Sequence, residues 1–599
     1  MSRDGGVIDV TFNRYYRDEV DFLRQLGREF AEAHPKEAHF LADVGSDPDV
    51  ERLLEGVAFL TGRIRQKLDD EFPELIHGVM NLLWPHYLRP IPAMSLLEFT
   101  PIPGAVTEHK RIPAMETEVE SREVEGTSCR FRTTADVDLY PFQLDQVSLE
   151  GASGSRSALR LRFTLLPGAT LGQVEVERLR LHLIGEPAYT LYYWLCRHVG
   201  TVKLRLVGPG RPAEEVALLD CKVEPVGFTK EGALLPYPTT AFEGYRLLQE
   251  YFAFPQKFLA LDLSDLRPLA KRGSATTFDI LILFTKAPPA SLRLSKDHVR
   301  LFCTPVVNLF RLDSQPIQVT HERTEYLIRP SVAPASHYEL FSVDGAVGHL
   351  RGTGEELQYE PFYSFRQGDG KAAARIYYHT RLRQSMVNDG AAETYVSFVN
   401  ADEIPVRGWE VPTEIVTFDL TCTNRDLAGK LHVGDIHLPT DRSPGFAQFR
   451  NVVKVSPPCR VPLGGDLHWR LLSHLSLNYL SLTSVETLRG LLDLYNFAAR
   501  QDEQAKRAQV RLLEGIVAVQ SRGKDCLFHG MPVRGTEITL SLRRDHFLGE
   551  GDLFLFASVL CEFFALYASL NSFTELLVKE TEQGELYSWP IRIGQQAVL

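Results

Sequence analysis

The stretch DPDVERLLEGVAFLTGRIRQKLDDEFPELIHGVMNLLWPHYLRPIPAM, Asp47 to Met94, organises the reading of this chain. Asp47 suits a helix N-cap, and Pro48 suits the first helical position, where no N–H is needed. Val50, Leu53, Leu54, Val57, Leu60, Ile64 and Leu68 then recur at helical spacing and draw one apolar stripe. The spacing predicts a helix from Pro48 to Asp70, ~35 Å long at 1.5 Å per residue. Pro73 is expected to end it and open a second helix, with Ile76, Val79, Met80 and Leu83, that stops at Trp84-Pro85. Gly56 and Gly62 sit inside the first helix, each costing about 1 kcal/mol against alanine. They are either tolerated in a buried helix or placed there because another backbone approaches.

Working outward, the preceding residues predict another long helix, roughly Thr11 to Ala33. Phe12, Tyr16, Val20, Leu23, Leu26 and Phe30 line one side, and Arg14/Asp18, Arg17/Asp21 and Arg28/Glu32 form (i, i+4) pairs on the other. Residues 1–95 therefore read as a helical region. Three helices, two of them long, leave much apolar surface to be covered by other domains or other chains. A small self-contained bundle accounts for the same periodicity.

After Met94 the texture changes. Prolines and glycines become frequent, and period-two alternation appears at Leu159–Phe163, Leu179–Leu183 and Val202–Leu206. Such alternation marks half-buried antiparallel strands. FDILILF, Phe278 to Phe284, reads as a strand covered on most sides, and Gly244–Phe258 as a helix. Further strands are expected at Ala374–Tyr378, Glu393–Val399 and Glu414–Cys422. From Val485 the pattern is a helix to about Ala505, two strands, a helix at Asp552–Leu570, then a hairpin of Glu575–Glu580 with Leu586–Ile593. The expected fold class is α+β and multidomain: a helical region at 1–95, β-rich antiparallel parts at 96–330 and 331–483, and an α+β part at 484–599.

Composition narrows the function classes. A chain of 599 residues exceeds the ~250–300 at which single cores stop growing. Its net charge of −12 argues against a general nucleic-acid binder. Eight scattered cysteines without a CxxC pair suit a reducing compartment. The opening MSRDGGVIDV has no apolar core, so no secretory signal is expected. LFLFASVLCEFFALYASL, Leu553 to Leu570, is long enough to tempt a membrane reading. Glu562 in its middle and a stripe of Phe556, Val559, Leu560, Phe563, Tyr567 and Leu570 favour a buried amphipathic helix, with no membrane insertion.

Motifs for chemistry are scarce. HExxH, G-x-S-x-G, Walker A and EF-hand patterns are absent from the sequence. Gly368-Asp369-Gly370-Lys371 lacks P-loop spacing, and GASGS around Ser153 lacks the hydrolase elbow. His432 with His437, and Cys526 with His529, have no second pair at zinc spacing. The expectation is no catalytic residue, no metal and no cofactor.

The run from Asp47 to Leu75, followed by PHYLRPIPAM, resembles the TssF family (VasA/ImpG), baseplate subunits of the bacterial type VI secretion system. LFCTPVVNLF at Leu301–Phe310, LTCTNRDL at Leu420–Leu427, WRLLSHLSLNYLSL at Trp469–Leu482 and RGTEITL near the C-terminus extend the resemblance along essentially the whole chain. It implies a structural subunit in which two TssF copies and one TssG form a wedge, joined by TssK and TssE. Six wedges would surround the VgrG spike and support sheath assembly on a cytoplasmic baseplate docked at the inner-membrane complex. Contacts between neighbouring wedges are expected of the C-terminal part, by analogy with contractile-phage baseplates. On this reading Phe12, Tyr16, Leu23, Phe30, Leu53, Val57, Leu60 and Ile64 form a partner interface. The alternative from the residues alone is a multidomain β-rich enzyme or carbohydrate-binding protein.

Overall fold

The computed structural model describes residues 16–17, 19–20, 22–26, 48–151, 157–207, 214–238, 241–267, 269, 275–320, 323–350, 356–362, 376–385, 391–400, 414–462, 484–528, 531–569 and 572–594. For residues 63–76 it describes the backbone alone. The segments Trp469–Leu482, Tyr363–Ala372 and GASGS around Ser153 lie outside these residues, wholly or in the part that matters. The chain divides into two units, Met1–Leu83 and Trp84–Leu599.

The described residues of the first unit are helical. Those between 16 and 26 are in helix. Helix α1, Pro48–Leu83, is a single element of 36 residues, ~54 Å long. Pro73 therefore does not end a helix, contrary to the sequence expectation. Its fixed φ is close to the helical value, so it forfeits one hydrogen bond and strains one turn at ~3 kcal/mol. Stopping and restarting would instead require a second nucleation, and propagation adds a bond per residue.

The second unit is built on sheets. A six-stranded sheet runs Ile436–Pro439, Glu118–Val124, Thr127–Thr133, Cys303–Val307, Met94–Pro101, Ala447–Asn451. It takes strands from both sides of residue 330, so the ranges 96–330 and 331–483 share this sheet. A five-stranded sheet runs Glu214–Leu218, Val199–Val207, Thr277–Phe284, Ala158–Leu165, Phe142–Glu150. Here the sequence pattern explains the layer. Leu159, Leu161 and Phe163 point into the core, while Arg160 and Arg162 point to the other face and clamp Asp279 of the neighbouring strand at 2.9 and 2.8 Å. Thr277–Phe284 has a strand on each side and is buried on both faces, as its unbroken apolar run requires. An eight-stranded sheet runs Phe310–Asp313, Glu414–Thr423, Glu339–Leu350, Glu356–Pro361, Ile376–Gln384, Ala392–Asn400, Tyr326–Leu327, with Ile317–Val319 also paired to Glu414–Thr423. One of its pairs, Glu356–Pro361 with Ile376–Gln384, is parallel.

Two of the helices of this unit pack on a third. We label α2 Ala188–Arg197, α3 Glu243–Ala253, α4 Val485–Tyr495, α5 Glu503–Glu514 and α6 Glu550–Tyr567. The helix expected over Val485–Ala505 is in fact α4 and the start of α5. Each has its own N-cap: Ser484 Oγ accepts from Thr487 N–H, and the Asp502 carboxylate accepts from Gln504 N–H. α6 is not amphipathic as expected; thirteen of its eighteen residues are buried, on every face. It packs on α2, on α3 and on strand Phe573–Glu580. Any side chain at Gly551 would collide with the backbone carbonyl of Tyr189 in α2. α6 also links Met531–Leu542 to Phe573–Glu580 as parallel neighbours, which need such a crossover. The expected final hairpin forms between Phe573–Glu580 and Leu586–Ser588. It breaks at Pro590, which has no N–H for the ladder, before Arg592–Ile593 resumes the pairing.

Candidate interaction surface

Helix α1 carries its large apolar residues where water reaches them. Leu53 is 70% exposed, Leu60 63%, Phe59 49% and Val57 46%. Leu53, Val57 and Leu60 follow the i, i+4, i+7 spacing of one face, and Phe59 widens it. Ala58 and Met80 are fully buried on the same helix. Gly56 lies among the exposed residues, and a Cβ there would meet no atom of the described residues within 4 Å. Phe59 escaped the sequence reading because it falls beside the stripe that periodicity selects. In the preceding helix Tyr16 and Leu23 are half-buried, Val20 is buried, and Phe22 and Leu26 are exposed. Phe12, Phe30 and the Ile64 side chain lie outside the described residues. Of the eight expected interface residues, the structure thus places Leu53, Val57 and Leu60 on one open face.

The second unit holds groups that elsewhere do chemistry, and here they are packed shut. His86, buried, has its pKa pushed down to about 3 by burial, with Arg89 adding to the effect. Its Nε2 lies 3.2 Å from the Tyr237 hydroxyl, which donates to the Phe242 carbonyl. Around it Tyr87 meets Phe497 edge-on at 4.9 Å and Tyr245 stacks on Tyr495 at 4.8 Å. This aromatic cluster seals the PHYL turn, Pro85–Leu88, against α3 and α4.

Glu250 of α3 is fully buried. It accepts from Leu234 N–H at 2.7 Å, from Arg246 at 3.0 Å and from Lys257. Burial pushes the Lys257 ammonium down to about 8 against the pull of Glu250. Every partner in this triad is internal, and it holds α3 to the turn at Pro255–Phe258. Glu339 lines a cavity of about 370 Å³ with His337, Arg425, Lys430 and Arg460. Burial pushes its carboxyl up to about 7, and its Oε1 has no hydrogen-bond partner.

Among the described residues no cluster of His, Cys, Asp and Glu has the makings of a metal site. His432 approaches Asp435 at 3.7 Å, and His437 Nδ1 lies 3.0 Å from the Gly434 carbonyl oxygen, so local turn contacts occupy both. Cys526 is half-buried, and His529 lies outside the described residues. No described helix is long and apolar enough to cross a membrane. Glu562, the charge within the apolar run, pairs with Arg592.

The family model described as type VI secretion system, TssF matches residues 8–596. The chain is 32% identical to the type VI secretion system component TssF1 of Pseudomonas aeruginosa, over 97% of this chain and 98% of that one. It is similar to a chain in the cryo-electron microscopy structure of a TssK-TssF-TssG baseplate subcomplex. The TM-score there is 0.76 at 34% identity, covering 90% of this chain and 98% of the other. A chain of a type VI secretion baseplate complex matches with a TM-score of 0.61 at 28% identity, covering 98% and 100%. A match of this extent, in sequence and in fold, places the chain in the TssF family of type VI secretion system baseplate subunits.

Proposed function

We propose that this chain is a wedge subunit of the baseplate, and that the open face of α1 is where other chains complete it. Two copies would share one TssG, with TssK and TssE joining the wedge and the VgrG spike at the centre. The assembly would sit in the cytoplasm, docked at the inner-membrane complex, and work by shape and buried area without making or breaking bonds. The similarity to chains of the TssK-TssF-TssG subcomplex supports TssG and TssK as partners.

The observation that carries the reading is the row Leu53, Val57, Phe59 and Leu60, wet on a helix whose other face is buried. Burying a side chain of this kind contributes roughly 1.5–3 kcal/mol. Gly56, in the same row, leaves room for a second backbone. Tyr16 and Leu23, with Phe12, Phe30 and Ile64, belong to the same proposed interface.

Leu60→Glu tests it. A carboxylate in a packed apolar contact has no partner and a large desolvation cost. The variant should keep the circular dichroism and melting behaviour of the wild type while losing stoichiometric co-purification with TssG. A folded Leu60→Glu chain that still co-purifies stoichiometrically with TssG, two copies to one, would remove the proposal.

A further inference from the structure

A cavity of about 760 Å³ opens in the second unit. Four arginines line it, together with Glu116, Glu118 and Asp441. Arg111 is paired with Asp136, and Arg442 with Glu118 at 3.0 Å. The other two, Arg132 on strand Thr127–Thr133 and Arg311 on strand Phe310–Asp313, have no ion pair and no side-chain hydrogen bond among the described residues. Arg132 Nε is buried and unpartnered. Burial, and then the like charge of Arg311, holds the Arg132 guanidinium below the usual arginine range; Asp344 and Glu118 offset this only in part. Asp344 is itself occupied by the hydroxyls of Ser342 and Thr421, at 2.7 and 2.5 Å.

The two guanidiniums feel each other's like charge, the buried part of Arg132 also pays for desolvation, and neither makes an ion pair among the described residues. They stand out in a chain of net charge −12. An anion seated between them would relieve both costs, and a carboxylate matches the guanidinium fork with paired hydrogen bonds. The walls beside them are apolar: Phe310, Phe446 and Met115 line the same cavity. Met115 is 44% exposed and held at φ 64°, a backbone conformation that costs energy outside glycine. Phosphate alone has no use for such walls, whereas an acidic residue next to an aromatic or aliphatic one uses both features.

We propose that this cavity is a docking site for an acidic segment of a partner polypeptide, its carboxylate held by Arg132 and Arg311 and its apolar neighbour packed on Met115 and Phe310. The site lies in the second unit and does not rest on the α1 interface.

The test is fluorescence anisotropy on the full-length chain. The probe is a labelled peptide Gly-Asp-Phe-Glu-Leu-Gly, compared with its Asn/Gln counterpart and with inorganic phosphate as competitor. The acidic peptide should bind, more weakly as salt rises, and about tenfold or more tighter than the neutral one, a factor worth 1.4 kcal/mol. The double variant Arg132→Gln/Arg311→Gln should lose that advantage. Arg311→Gln alone, an exposed position that folding does not need, should lose part of it. Equal binding of both peptides, unchanged binding by either variant, or no binding of the acidic peptide would overturn the proposal. Phosphate that binds where the acidic peptide does not would overturn the polypeptide occupant.

Discussion

Helices α1 and α6 are both long and both rich in large apolar residues, yet they end in opposite conditions. α6 is buried on every face by α2, α3 and its own sheet. α1 leaves Leu53, Val57, Phe59 and Leu60 in water. The difference lies in what the chain supplies around each. A helix that is apolar all round must be enclosed by its own fold or by lipid. A helix with one apolar stripe can be finished from outside. Periodicity identifies the stripe but not the owner of the surface that covers it.

Two substitutions probe this contrast and a third, at Glu339, probes burial elsewhere in the second unit, the largest effect first. Phe563→Ala in α6 removes a ring fully enclosed by this chain, where such losses cost ~3–5 kcal/mol. The denaturant midpoint of the second unit should fall accordingly. A loss within the ±0.5 kcal/mol typical of surface sites would erase the contrast.

Next is Glu339. Its folded pKa of about 7 lies above the ordinary carboxyl value, so the folded state holds the proton more tightly. Its contribution is fully present below the unfolded pKa near 4.3 and is lost as pH rises through 7, a swing on the order of 3 kcal/mol. Glu339→Gln should therefore flatten the fall in stability between pH 5 and 8 by about this amount and stabilise the second unit at pH 8. A wild-type and variant pair with parallel pH profiles would show that Glu339 keeps an ordinary pKa.

The smallest effect is expected at Leu60→Ala: within about ±0.5 kcal/mol for the isolated chain, because the side chain is already wet. A loss of about 2 kcal/mol or more, the cavity cost of a core leucine, would mean that this chain covers its own stripe.

Much of the architecture was readable from residues wherever burial is one-sided. Leu159–Phe163 and Leu179–Leu183 alternate because one face of each strand meets the core, and both are strands. Fully buried elements were harder. α2, AYTLYYWLCR, passed unread because six of its ten residues are buried and it is rich in Tyr, Trp and Thr, which favour strands. The stripe in α6 is only part of its apolar surface, because thirteen of its eighteen residues are buried. Pro73 misled for the opposite reason, since a local rule for stopping helices lost to the cooperativity of a long one. The Arg132–Arg311 cavity has no local signature at all. Its two arginines come from strands far apart in the chain, and only the tertiary fold brings them together with no ion pair to either among the described residues.

The seat of α6 has a consequence for biosynthesis. Tyr245 and Tyr567 share a hydroxyl contact across 322 positions of the chain. At ~10 residues per second, the ribosome takes roughly half a minute to travel between them. For that interval the nascent α2 and α3 have made their apolar surfaces but not their cover, and the growing polypeptide keeps them exposed until α6 emerges.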